Sequence, residues 1–326
     1  MLTWGMTARY LLPLLVAVPA TGASGQPSAP DTTPALFAEG VVSTGDNEFS
    51  TALTPDGRTV YWTVSAPNVV VFPFVILSAT RTARGWSGPR VAPFSGTGFS
   101  DADPAVSPDG RRVFFMSRRP VSGTAQRPDF DIWVYDVATA LTTRVDEVSS
   151  EKMDLFPSVT ADGTLYFTSD RDGGFGGADI YRARLAEGRY TVPENIGPTV
   201  NSAYGESNVF VAPDESYLVF SGGGRPDSKG GTDLYIAERS ADGSWGTPRP
   251  LRYVNTEWDD YAPTVSPDGK LLYFTSRRPR ARPARRARLT YDEVRTRVRS
   301  AGNGNADVYA IPFAIAVGRG AREPTP

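Results

Sequence analysis

Five carboxylates recur at one position of a repeating pattern: Glu48, Asp101, Asp154, Glu206 and Asp260. Each stands seven residues before the turn position of a Pro-Asp-Gly-like segment, at 55, 108, 161, 213 and 267. Carboxylates gathered in this number repel one another, which raises their pKa values or recruits cations. They could form a cation or polar-ligand site. Alternatively, each caps its own loop or pairs with an arginine of a neighbouring repeat, since structural ion-pair networks produce the same pattern. Arg119, Arg171 and Arg278, two places after Ser117, Ser169 and Ser276, are natural partners for these acids. Their other use would be to grip an anionic group. Phe99, Tyr204 and Trp258 stand two residues before the acidic position. Such rings stack on sugars, hold peptides, or simply pack one loop on the next.

Composition removes much of the remaining chemistry. The 326 residues contain no His and no Cys. A Ser-His-Asp triad, a histidine base, a thiol nucleophile, a thiolate metal site and a disulfide are therefore excluded. Any catalysis would run on carboxylates, Tyr, Lys, Arg or Ser. There is no P-loop, dinucleotide fingerprint or metal motif. Asp170-Arg171-Asp172-Gly173-Gly174 has too few ligands for a calcium loop. No cofactor or metal is expected. The net charge of -2 argues against a dedicated nucleic-acid binder.

The elements that position these residues follow from the repeat itself. Leu53 to Gly57, Val106 to Gly110, Val159 to Gly163, Val211 to Glu215 and Val265 to Gly269 are five copies of one strand-turn signal. Their spacings are 53, 53, 52 and 54 residues, a period that indicates a propeller or solenoid. After each turn comes a strand with a bulky pair: Tyr61-Trp62, Phe114-Phe115, Tyr166-Phe167, Val219-Phe220, Tyr273-Phe274. A third strand opens at Asp131, Asp179, Asp233 or Asp307; the first repeat has Phe74-Val75-Ile76-Leu77 and no Asp. The fifth repeat lacks a fourth strand. Val42-Ser43-Thr44 matches Val200-Asn201-Ser202 and Val254-Asn255-Thr256, each Val six places before its acid. Residues 35–44 are therefore expected as one extended strand that completes the last blade. Closure of this kind removes exposed sheet edges. The fold class is all-β: a five-bladed β-propeller of four-stranded blades, closed by the N-terminal strand.

The Ser-Pro-Asp-Gly turns, the aromatic pairs, Thr168-Ser169-Asp170-Arg171 and Asp179-Ile180-Tyr181 resemble the TolB-like, WD-related propeller repeat over roughly residues 36–313. The resemblance implies an envelope binding or scaffolding protein. Propellers host many activities, so it specifies fold more than function.

Arg9 precedes an apolar run, Tyr10 to Val18, that is too short to span a bilayer and is followed by small residues. The expected organisation is an export signal over 1–25, a linker over 26–34, the propeller over 35–315 and a disordered tail over 316–326. The mature chain is expected to be periplasmic or secreted, monomeric, and without a transmembrane segment. Two loops stand out. Residues 68–74 are apolar, either a displaced third strand or a contact patch. The fifth repeat carries an insertion with Arg280, Arg282, Arg285, Arg286 and Arg288, followed by a capping box, Thr290 with Glu293. That box starts a short helix, expected to dock on the rim through Tyr291, Val294 and Val298.

The resulting expectation is a non-enzymatic binding propeller that engages an envelope protein or glycan through the channel mouth bearing the acids and aromatics. The alternative is a carbohydrate-active hydrolase using two of those acids about 5–10 Å apart.

Overall fold

A computed structural model describes residues 33–65, 73–281 and 288–319. The expected export signal, most of the linker and most of the apolar 68–74 loop lie outside these residues.

In chain order, β1 is Ala35–Leu36. Blade 1 is built from β2 (Asn47–Leu53), β3 (Thr59–Ser65) and β4 (Val75–Thr82), with a small hairpin strand β5 (Gly85–Trp86) and the outer strand β6 (Arg90–Val91). Blade 2 runs through β7 (Asp101–Val106), β8 (Arg112–Ser117), β9 (Asp131–Asp136) and β10 (Thr142–Arg144). Blade 3 has β11 (Asp154–Val159), β12 (Leu165–Ser169), β13 (Asp179–Ala183), a hairpin of β14 (Leu185–Ala186) with β15 (Arg189–Tyr190), and β16 (Glu194–Asn195). Blade 4 has β17 (Gly205–Val211), β18 (Tyr217–Gly223), β19 (Thr232–Glu238) and β20 (Arg249–Pro250). Blade 5 has β21 (Asp260–Val265), β22 (Leu271–Ser276) and β23 (Asp307–Pro312), and its outer strand is β1.

The sheet order β1-β23-β22-β21 is the expected closure: Ala35 pairs with Ala310 and Leu36 with Tyr309, antiparallel. The closing strand is shorter than residues 35–44. It ends at Leu36, and Ala38 and Gly40 turn at φ 47° and 83°. Val42 is then buried and Ser43 exchanges two bonds with Val308: its hydroxyl donates to the carbonyl at 2.8 Å and accepts the N–H at 3.1 Å. Asn201 makes the same clamp on Ile180, and Asn255 on Leu234. The aligned triplets therefore share a role as well as a pattern.

The core lies between blades. Phe114 packs against Leu165 and Phe167, Tyr166 against Leu218 and Phe220, and Val219 against Leu272 and Phe274. Val60 and Trp62 meet Tyr273 and Val308, which seals the last junction. Each blade buries one face against the next, so no blade is stable alone and the ring is one cooperative body. The strands β2, β7, β11, β17 and β21 contact one another in succession, and β21 returns to β2.

Every one of these inner strands carries a bulge two residues after the recurrent acid. The bulge residues are Ser50, Asp103, Phe156, Asn208 and Ala262, all left-handed, with φ between 46° and 54°. None is glycine, so each carries a conformational cost of about 1–3 kcal/mol that the ring sustains.

Ala316 and Val317, at the start of the expected tail, are buried. Helix α2 (Phe313–Ala316) buries Ile315 and Ala316, with Val317, against blades 4 and 5. Residues 320–326 of the expected tail lie outside the description. Helix α1 (Tyr291–Val298) has the predicted capping box but not the predicted docking. Tyr291, Val294 and Val298 are 75%, 41% and 62% exposed, and no residue of the helix is buried.

Candidate functional site

The five recurrent carboxylates are all buried, at 2% exposure or less. Each opens, or nearly opens, its inner strand, and in four of the five blades the carboxylate accepts bonds from the residue four places before it. The backbone N–H and hydroxyl of Ser150, Ser202 and Thr256 donate to Asp154, Glu206 and Asp260, and those of Thr44 donate to Glu48. Asp101 takes its hydroxyl from Ser117, at 2.7 Å.

Arginines complete the arrangement in blades 2 to 5. Arg119 pairs with Asp101 at 3.0 Å, Arg171 with Asp154 at 2.6 Å, and Arg278 with Asp260 at 2.6 Å. In blade 4 the partner is Arg225, 2.5 Å from Glu206. The same guanidinium nitrogen also donates to a carbonyl, of Phe94, Val148, Val200 or Val254, at the start of the loop before the acid. Two rings of the same blade flank each guanidinium: Phe115 and Trp133, Phe167 and Tyr181, Phe220 and Tyr235, Phe274 and Tyr309. Planar, weakly hydrated arginine suits such a slot; a lysine ammonium does not. Asp101 is raised above the ordinary carboxylate value by burial, and the Arg119 charge opposes that rise.

Arg119, Arg171 and Arg278 are thus the partners that their spacing suggested, each acting within its own blade and not from a neighbouring one. Arg225 was missed because three glycines, Gly222 to Gly224, lengthen its loop and move it four places beyond Ser221. The Asp residues that open third strands are also bound locally. Asp131 meets Arg127 and Arg144, Asp179 accepts from Phe175 N–H and Asn195, Asp233 from Lys229 N–H, and Asp307 from Gly302 N–H.

The aromatics divide. Tyr204 and Trp258 are 42% and 43% exposed, whereas Phe99 is half-buried. Tyr204 and Trp258 sit on loops that the preceding blade holds by its backbone. A Cβ on Gly176 would strike Tyr204 O, and one on Gly230 would strike Trp258 O. Phe175, beside the first of these glycines, is 48% exposed.

A separate cavity of about 270 Å³ fills the propeller axis. It is lined by the bulge residues Ser50, Asp103, Phe156, Asn208 and Ala262, and further along by the turn prolines Pro55, Pro108, Pro213 and Pro267. None of the acids, arginines or aromatics singled out in the sequence lines it. The bulge divides the inner strand, leaving the recurrent acid inside the blade and the residue two places on in the channel.

These features define a type of fold. It is a five-bladed β-propeller. No family model matches the sequence, and no curated protein is significantly similar to it. Similar solved structures include TolB from Acinetobacter baumannii, at 19% identity and TM-score 0.47, over 82% of this chain and 54% of that one. A gluconolactonase from Xanthomonas campestris matches at 12% identity and TM-score 0.46, over 86% and 94%. A puromycin-hydrolyzing peptidase from Mycobacterium tuberculosis matches at 15% and 0.40, over 76% and 46%. The chain spans about half the length of the TolB structure. Scores at this level carry nothing about activity, and the architecture rests on the five sheets themselves. No helix among the described residues is long and apolar enough to cross a membrane.

Proposed function

We propose that the protein is an exported, monomeric binding propeller that engages an envelope protein or a glycan through the loops at the carboxylate end. The observation that carries this reading is the pair Tyr204 and Trp258, exposed at equivalent positions of two successive blades on loops fixed by close backbone contact. Large rings held in place lose little entropy on binding, which is what recognition surfaces use. The recurrent acids and their arginines form the frame under those loops; Phe99 supports the surface from a half-buried position. Export is supported by the short apolar run after Arg9.

The hydrolase alternative is weaker on the same geometry. Asp101, Asp154, Glu206 and Asp260 are each at 0% exposure and each bonded to an arginine. A glycosidase needs its acid pair open to the sugar ring. Tyr204→Ala/Trp258→Ala is the test, read on a glycan array and by crosslinking in envelope extracts. At least a tenfold loss of the captured ligand, with unchanged melting, supports the reading. Unchanged capture overturns it, and release of reducing ends from a polysaccharide panel would restore the hydrolase.

A further inference from the structure

The five bulge positions are equivalent in backbone but not in chemistry. Phe156 and Ala262 are apolar, Ser50 and Asn208 are neutral and polar, and Asp103 alone is ionisable. Asp103 is 5% exposed and lines the axial cavity. Its Oδ1 accepts from the Ser50 hydroxyl and from Asn208 Nδ2, the latter at 3.3 Å. Its Oδ2 has no hydrogen-bond partner among the described residues, and no cation pairs with it there. The cavity walls beyond it are largely apolar, with Pro104, Val106, Pro157, Val209 and Val265 among them. A buried carboxylate with a free oxygen at the end of an apolar channel is expensive unless something charged or hydrogen-bonding completes it.

The other end of the cavity bears on which charge that is. Pro55, Pro108, Pro213 and Pro267, which line it, belong to the turns that carry Asp56, Asp109, Asp214 and Asp268, and Asp162 holds the same turn position in blade 3 after Ala161. Hydroxyls of Thr54, Ser107, Thr160, Ser216 and Ser266 hold all five below the ordinary carboxylate value, Asp268 at about 2. Arg58, Arg111 and Lys270 offset part of that charge. A ring of ionised carboxylates around a low-dielectric opening draws cations toward it.

We propose that the axial cavity is a binding site for a small organic cation, a primary ammonium on a short apolar chain, whose charged end meets Asp103. The apolar stem takes the proline- and valine-lined walls, and the charged end pairs with the Asp103 carboxylate. This site lies apart from the loop surface of the preceding section, and either can fail without the other. Burial pushes the unliganded Asp103 up to about 7, against the Ser50 hydrogen bond. The groups around it are Ser50 of β2, Thr63 of β3, whose hydroxyl accepts the Asp103 N–H at 3.0 Å, Asn208 of β17 and Tyr261 of β21. Tyr261 is pushed up to about 12 and stays neutral, so Asp103 is the group that titrates with ligand. An ammonium binds the ionised form, so affinity rises with pH and levels off above about 8.

The test is calorimetry with n-hexylammonium, n-hexanol as its neutral counterpart, and Nα-acetyl-lysine N-methylamide. Saturable one-to-one binding of n-hexylammonium is expected, at least tenfold weaker in Asp103→Asn and about tenfold weaker at pH 6 than at pH 8. Binding of hexylammonium alone identifies a free amine as ligand; binding of both amines identifies a lysine side chain of a partner. Equal binding by Asp103→Asn, or by hexanol, overturns the proposal. Should that variant not fold, carboxyl-carbon NMR of the wild type decides: n-hexylammonium must shift Asp103 to its ionised form at pH 6.5, and an unmoved signal rejects the site.

Discussion

Blade 1 and the other four blades solve one problem in two ways. Blades 2 to 5 bury an acid at the head of the inner strand and neutralise it with an arginine set between two rings. Blade 1 buries Glu48 at the same place without any cation paired to it among the described residues. Strand register shows what has gone. Thr63 faces Ile76 as Met116 faces Ile132, so Val75 replaces the Asp of the third strand and Leu77 replaces the second ring. The following loop, residues 66–72, contains no Arg or Lys. Arginine, ring and aspartate are absent together, as expected of a unit whose parts are useful only in combination. What remains is Trp62 and the Thr44 bonds to Glu48. Burial pushes Glu48 up to about 7, with Asp307 and Asp46 adding to the rise.

The largest expected effect comes from making another blade resemble blade 1 abruptly. Arg171→Ala leaves Asp154 buried at 0% exposure with no counter-charge. A loss of about 3–5 kcal/mol in denaturant unfolding is expected. Arg171→Lys should recover little, because an ammonium cannot share the Asp154, Val148 carbonyl and Ser169 bonds across two ring faces. Adding Asp154→Asn to Arg171→Ala should return much of the loss. If Arg171→Ala costs no more than an exposed pair such as Lys152 with Asp172, the arginine is ornamental and the comparison collapses.

A smaller effect tests blade 1 itself. The folded value of Glu48, about 7, lies above its ordinary value of 4.5. Its contribution to stability is therefore complete below about pH 4.5 and is lost as pH rises through 7, on the order of 3 kcal/mol. Glu48→Gln keeps the shape and removes that loss, so the difference between variant and wild type should favour the variant by more at pH 8 than at pH 5. Asp103 rises to about 7 and titrates in the same window in both proteins, whereas Asp307, at about 6, is coupled to Glu48, so the difference reports Glu48 together with its interaction with Asp307. A pH-independent difference would mean that another group already compensates Glu48.

The sequence carried the ring because ring formation depends on local signals that repeat: turn chemistry, paired bulky residues, and the Val42 triplet that matches Val200 and Val254. It also carried the acid–arginine association wherever spacing was constant, and missed Arg225 where glycines changed the loop length. The bulge was not legible. Ser, Asp, Phe, Asn and Ala share no turn signature, and the left-handed conformation is imposed by five strands converging on an axis. The channel lining shifted with it, from the acids to residues two places on. Helix α1 shows the opposite case: its cap is local chemistry and was legible, whereas docking depends on a surface elsewhere that does not cover Tyr291.

The smallest expected effect concerns the seam, where blade 5 borrows its outer strand. Ser43 clamps Val308 with one hydroxyl that both donates and accepts, while Asn201 and Asn255 clamp Ile180 and Leu234 with a full carboxamide. All three are buried, so removing any of them takes away the clamp on a strand N–H, while the carbonyl keeps the N–H of Phe37, Ile196 or Leu251. Asn201→Ala and Asn255→Ala should each cost about 1–3 kcal/mol, within covalently continuous stretches of chain. Ser43→Ala removes the same kind of bond, but at the one junction joined by a two-residue strand from the far end of the sequence. Its cost should be similar at equilibrium, yet hydrogen exchange at Val308 should quicken more than at Ile180 or Leu234 in the matched variants. Opening the seam releases only a terminal segment, whereas opening the other clamps strains a closed loop. Equal exchange at all three would show that the borrowed strand is held as firmly as the continuous ones.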